Sequence, residues 1–279
     1  MDGRALAARI REELQADVAE FGDVSLATVL VGDDPASQIY IRLKHKHADE
    51  VGIQALDKRL PQETSEEELL ELVRELNEDD SVDGILVQTP LPPQIDEARV
   101  MRALDPMKDV DGLHPFNAGQ LFLGFETLVG ATPIGVMRLL GEYKIPIAGA
   151  RAVVVGRSVI VGRPLALLLL HANATVTICH SRTDDLARHT LDADILVAAV
   201  GCLGLITADM VKTGAAVIDV GMNRTEEGLF GDVDPGVADV AGFLTPVPGG
   251  VGPMTIACML ENALKAARYR KGALAFPRM

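Results

Sequence analysis

Residues 152–164 read AVVVGRSVIVGRP. The apolar run 152–155 suits a buried strand, Gly156 and Gly162 bracket a turn, and Pro164 stands where a helix opens. There a fixed φ is pre-organised and a missing N–H costs nothing. Strand, glycine turn and helix form the unit from which parallel α/β sheets are built. The helix start offers unpaired N–H groups and partial positive charge to a phosphate, and the glycines let it approach the backbone. Arg157 and Ser158 sit inside the turn. The spacing is GRSxxxG rather than GxGxxG, so on glycine positions alone an ordinary βα connection is the competing reading. The next strand, residues 175–179, decides between the two. It ends CHSRT, with His180, Ser181 and Arg182 where an NAD site carries an acid for the ribose 2′-hydroxyl. A hydroxyl and a guanidinium suit a 2′-phosphate, and Arg157 adds a second positive charge. The pattern reads as a site for NADP.

The same alternation extends in both directions. Towards the C-terminus, strands are expected at 195–200, 216–220 and 242–244. The Gly/Pro loop TPVPGGVGP (245–253) then leads into a long helix running to about Tyr269. Three prolines make this loop stiff, and Gly249, Gly250 and Gly252 crowd the helix start, so it is a candidate wall for the nicotinamide side of a cofactor. Towards the N-terminus, Thr132 and Pro133 open a helix. Residues 105–119 read as irregular, with a helix before them at 96–104 and strands at 84–88, 54–60 and 26–31. Ser65 and Glu68 form a capping box for a helix reaching Asn77, and residues 35–51 read as a helix. Leu6, Ile10, Leu14 and Val18 recur every four residues, one apolar helical stripe. The fold class is therefore α/β: two domains, each with a largely parallel sheet covered by helices, the C-terminal half Rossmann-type. The expected division is 1–118, joined by the C-terminal helix 254–279, and 132–252, with the boundary near 117–131.

The 279 residues carry a net charge of −14. This argues against nucleic acid or an anionic membrane as partner, since both require a basic face. No segment is apolar for long enough to span a bilayer, and residues 1–18 show no secretory signal. The three cysteines, Cys179, Cys202 and Cys258, have apolar neighbours and no metal spacing, so they are expected as reduced thiols inside a cytoplasmic protein. The six histidines suggest no metal site either.

In the first half, YIRLKHKH (40–47) places Tyr40 and Lys44 four residues apart on one helical face, within a run that is the candidate basic patch of an acidic chain. Gln88 ends a buried strand, the position at which α/β sheets bind ligands. KDVDGLHP adds Lys108, Asp109 and Asp111.

The stretches VGDDPASQIYIRLK, DGILVQTPLP, KDVDGLHPFNAGQL, VVVGRSVIVGRP, CHSRT and TPVPGGVGPMT are collinear over nearly the whole chain. Together they resemble the bifunctional methylenetetrahydrofolate dehydrogenase/methenyltetrahydrofolate cyclohydrolase family. The resemblance implies NADP-dependent oxidation of 5,10-methylenetetrahydrofolate and hydrolysis of the methenyl product to 10-formyltetrahydrofolate, with tetrahydrofolate derivatives as ligands and a homodimeric assembly. It implies Lys44 as the catalytic lysine and Tyr40 as the ring that stacks on the pterin. Gln88 is implied as the group that tunes the lysine, and Asp111 as the pterin anchor. Gly156, Arg157, Ser158, Gly162, Ser181 and Arg182 are assigned to NADP. On the Gly/Pro loop, Thr245, Pro246 and Gly250 are assigned to the cofactor, and Pro248 and Gly249 to the substrate. The chain departs from the usual family pattern at Thr89 and Val159. Two other readings are a mono-functional dehydrogenase and a non-catalytic dinucleotide-binding sensor; assays of both reaction steps separate them.

Overall fold

A computed structural model describes residues 1–277. It divides into two compact units: Arg9–Gly130 with Ile256–Met279, here the first unit, and Met1–Ala8 with Ala131–Thr255, the second.

The first unit is built on a parallel sheet of β1 (Ser25–Val31), β2 (Gln54–Leu60) and β3 (Gly84–Val87), in the order β2-β1-β3. Central β1 is buried along its whole length, which is why it reads as an unbroken apolar run. The helices are α1 (Gly3–Phe21), α2 (Pro35–Glu50), α3 (Glu66–Glu78), α4 (Glu97–Ala103) and α5 (Pro115–Leu123). Alternate residues of β1, Ala27, Val29 and Val31, pack with Leu69, Val73 and Leu76 of α3 and Val100 of α4. Each such valine or leucine removed from water contributes about 1.5–3 kcal/mol. The Ser65–Glu68 capping box forms in both directions.

The second unit carries a five-stranded parallel sheet in the order β10-β7-β6-β4-β5. Its strands are β4 (Arg151–Val155), β5 (Thr175–Cys179), β6 (Ile195–Ala198), β7 (Ala216–Asp219) and β10 (Phe243–Leu244). Helices α6 (Ala131–Glu142), α7 (Gly162–His171) and α8 (Leu186–Thr190) connect or flank them, and α9 (Val251–Arg270) begins here and ends in the first unit. The chain reverses direction across the sheet between β4 and β6, the topological switch point at which such sheets bind ligands.

Several local expectations are corrected. The irregular stretch 105–119 ends inside α5, whose start is signalled by Pro115 after the capping residue His114. Helix α6 starts at Ala131, so Thr132 is not its cap; its hydroxyl pairs with Thr255 instead. Helix α7 begins two residues before Pro164, and α9 begins inside the Gly/Pro loop, at Val251. Short α8 and the polar hairpin β8 (Asn223–Thr225) and β9 (Gly228–Phe230) carry no apolar periodicity and were not expected. Met1–Ala8 groups with the second unit rather than with residues 1–118. The first N–H groups of α1, on Gly3 and Arg4, donate to the Gly249 carbonyl, and the Met1 amine donates to that of Leu244. Cys202 is exposed rather than interior. No helix among the described residues is long and apolar enough to cross a membrane.

Candidate active site

Helix α2 is opened by Asp34, whose carboxylate accepts the Ser37 N–H, and by Pro35 at its first position. Ser37, Ile41, Lys44 and Ala48 are all buried. That spacing is one helical face, so the helix carries a lysine inward at a position where its period calls for an apolar residue. Lys44 is only 8% exposed, and its amine donates to Gln88 Oε1 at 3.0 Å. Gln88 follows β3, and its backbone N–H is held by the Val29 carbonyl. Its own amide donates to the Thr89 carbonyl at 2.9 Å, which orients the oxygen towards Lys44. Burial lowers the Lys44 pKa, and the nearby charge of Asp111 partly opposes this. Tyr40 lies one turn earlier on α2, half-buried.

The basic run on α2 does not act as one patch. Lys44 turns inward, Lys46 lies near Glu50, His47 pairs with Glu50, and His45 Nε2 meets Thr28 Oγ1 at 2.6 Å.

The segment 108–112 is fixed residue by residue, and Asp111 is what remains available. The buried Lys108 amine donates to the carbonyls of Leu76, Asn77 and Asp79, the C-terminal end of α3, so this lysine is a helix cap rather than a ligand group. Asp109 Oδ2 accepts from the His114 N–H and from Asn117; its Oδ1 is buried with no partner. Burial raises its pKa to about 6. Val110 hydrogen-bonds β3, and its carbonyl accepts from Asn262 at 2.7 Å. Gly112 has φ +63°, and a β-carbon there would strike the backbone of Leu128 and Val129. The Asp111 carboxylate is left half-buried beside Lys44. Burial raises its pKa and Lys44 opposes the shift. Lys44, Gln88 and Asp111, from three separate segments, therefore meet in the first unit.

In the second unit the glycine turn is shaped for close approach. A β-carbon on Gly162 would overlap the carbonyl of Gly156, and one on Gly156, at φ +130°, the carbonyl of Ala199. Ser158 Oγ accepts the N–H groups of Val161 (3.1 Å) and Gly162 (3.4 Å) and so closes the turn, while Arg157 stays exposed. After β5, His180 and Thr183 brace the loop: Thr183 Oγ1 accepts the His180 N–H, and His180 Nδ1 accepts the Arg182 N–H. Ser181 and Arg182 project outward. A tight glycine turn at a helix start, flanked by two exposed arginines and a serine, fits a phosphorylated dinucleotide.

The Gly/Pro loop is rigid for reasons internal to the unit. Thr245 is buried, and its hydroxyl accepts the Asp219 N–H at 2.7 Å, so it supports the loop from beneath. Gly250 donates to the carbonyl of Pro246 and has no room for a β-carbon. Gly249 caps α1, and Pro248 follows a cis peptide bond.

Two residues that the sequence reading missed, Asp219 and Asp232, organise the loops after β6 and β7. Most of their partners lie 13 to 32 positions away, so local pattern gave no signal.

Models of the tetrahydrofolate dehydrogenase/cyclohydrolase family match residues 1–111 (catalytic domain) and 130–271 (NAD(P)-binding domain). The chain belongs to the tetrahydrofolate dehydrogenase/cyclohydrolase family. Among curated members, the bifunctional protein FolD of Methanospirillum hungatei is 56% identical, over 98% of each chain. The solved bifunctional FolD of Campylobacter jejuni superposes with a TM-score of 0.94 at 48% identity, over 98% of each chain. The family enzyme of Trypanosoma brucei, solved with NADP cofactor and an inhibitor, gives 0.92 at 39% identity, over 99% of this chain and 98% of that one. Among the described residues, no cluster of His, Cys, Asp or Glu suits a metal ion.

Proposed function

We propose that the chain oxidises 5,10-methylenetetrahydrofolate with NADP and hydrolyses the resulting methenyl compound to 10-formyltetrahydrofolate, with Lys44, Gln88 and Asp111 as its catalytic residues. The observation that carries the assignment of roles is the hydrogen bond from the buried Lys44 amine to Gln88.

When bound, NADP supplies the two-electron acceptor for the methylene carbon. Gly156, Arg157, Ser158 and Gly162 would hold its pyrophosphate, and Ser181 and Arg182 its 2′-phosphate. On the Gly/Pro loop, Pro246 and Gly250, held from beneath by Thr245, would line the remainder of the cofactor, while Pro248 and Gly249 are proposed for the substrate.

The methenyl product is a cation, and an ammonium facing it would be repelled. Burial favours the neutral amine at Lys44, the form able to take a proton from water as it adds to the methenyl carbon and to return it when the ring nitrogen leaves. Gln88 contributes direction: its oxygen accepts one N–H of the amine, so the lone pair points elsewhere. Ionised Asp111 is acceptor-only, which suits the N–H and amino donors of the pterin edge. Tyr40, one turn from Lys44, offers a ring face to the planar substrate.

Lys44→Met keeps the length and burial of the side chain and removes the base. It is expected to abolish cyclohydrolase turnover while impairing the dehydrogenase less, when both steps are followed on one preparation through reduced-cofactor and methenyl absorbance. Surviving cyclohydrolase turnover would remove Lys44 as base. A homodimeric, cytoplasmic enzyme is the setting we infer for this acidic chain.

A further inference from the structure

Two carboxylates lie buried beneath the carboxyl ends of β6 and β7, and the mechanism above does not use them. Asp232 is fully buried. Its carboxylate accepts three successive N–H groups, those of Val200 (2.7 Å), Gly201 (3.0 Å) and Cys202 (2.8 Å), and the amide of Asn223 (2.9 Å). Asp219, the last residue of β7, accepts the N–H groups of Gly221 (2.9 Å), Asp232 (2.9 Å) and Val233 (3.0 Å). All seven donors are N–H groups, so both sites suit the ionised acid. Gly221 and Gly231 leave the space: a β-carbon on either would overlap one of the carboxylates. Among the described residues, no lysine or arginine forms an ion pair with either.

Two anions without a cation are costly to bury. A carboxylate, unlike an amide, accepts on both oxygens, so the loop support uses both acids and leaves two charges without a counter-cation among the described residues. Strand order shows what lies above them. In the order β5-β4-β6-β7, the arginine-bearing loop follows β5 and the pyrophosphate turn follows β4, with Gly156 packed against Ala199 after β6. A dinucleotide anchored by those two loops has its other half over the ends of β6 and β7. That half is the nicotinamide, whose ring is positively charged only when oxidised.

We propose that Asp219 and Asp232 form a charge-specific support for the nicotinamide half of the cofactor, shaping residues 199–202 and 220–223 and favouring the oxidised over the reduced ring. The inference rests on the NADP reading and goes beyond it: these are positioning residues that discriminate redox state.

The test is the affinity of the full chain for NADP+ and for NADPH, measured separately in the absence of folate, by NADPH fluorescence and by its displacement with NADP+. Asp232→Asn is expected to weaken NADP+ roughly tenfold more than NADPH, the scale of one charge acting across several ångströms of partly screened protein. Equal weakening of both, or of neither, would reduce Asp232 to a structural support and overturn the proposal. If that variant fails to fold, Asp219→Asn carries the same expectation. The native chain gives a check that needs no variant: it should bind NADP+ at least as tightly as NADPH, and tighter binding of NADPH would overturn the proposal. Because no folate is present, a chain that bound both nucleotides yet left methylenetetrahydrofolate unchanged would contradict the function and leave this inference testable.

Discussion

Lys44 and Asp111 act on each other with opposite signs. Burial lowers the pKa of Lys44 and Asp111 raises it in part. Removing that charge with Asp111→Asn should lower the Lys44 pKa further. The neutral base would then persist to lower pH, and the acidic limb of the cyclohydrolase kcat profile, measured at saturating methenyl substrate, should move to lower pH. An unmoved limb, or one displaced upward, would mean that Lys44 does not set it. Asp109 gives a stability prediction of known sign. Its pKa is raised from 3.8 to about 6, so ionising it costs more in the folded chain than in the unfolded one. The penalty is absent below pH 4 and complete above the folded pKa. Asp109→Asn should therefore gain stability relative to the native chain as pH rises through this window, by up to about 3 kcal/mol. Urea midpoints from pH 4 to 7.5 would show it, and a constant difference would refute it. That Lys44 turns inward with Ser37, Ile41 and Ala48 came from the structure. Its shared face with Tyr40 was legible in the sequence, because the two stand four positions apart on a helix. The unpartnered oxygen of Asp109 was not, because it depends on the atoms that packing places around it.

At the scale of elements, α3 is closed at both ends by different means. Its start is local: Ser65 and Glu68, three residues apart, bond each other's backbone, so a reader of the chain can find the motif. Its end is capped by Lys108, whose amine reaches carbonyls about thirty positions earlier. From the sequence, Lys108 looked like a candidate for the cleft. Lys108→Met should leave those carbonyls unpaired and loosen the segment that bears Asp111, costing about 3 kcal/mol in urea unfolding. A loss under about 0.5 kcal/mol, the range of ordinary surface changes, would show that the cap is dispensable. The same contrast holds for other elements. Helix α5 was signalled by Pro115 yet obscured by histidine as its cap, whereas hairpin β8–β9, polar on both faces, offered no period at all.

For the molecule as a whole, each unit carries its own set of ligand groups. NADP at about a hundred times its Kd should add about 2.7 kcal/mol to the stability of the segments that bind it. Hydrogen exchange should accordingly slow in residues 156–162, 181–183 and 199–202, with no comparable slowing at the backbone around Lys44. Protection spread evenly over the chain would contradict the assignment of the nucleotide to those loops. The alternation of buried strands and amphipathic helices, the glycine turn and the arginine after β5 were all determined by the sequence itself, since each follows from side chains a few positions apart. Tertiary structure alone decided three things: which of Lys108, Asp109 and Asp111 stays available beside Lys44, that Met1–Ala8 belongs with the second unit, and that Asp219 and Asp232 brace the loops above them. All three turn on backbone groups that find partners far along the chain, and the chemistry of a carboxylate or an amine is the same whether it caps a helix or faces a substrate.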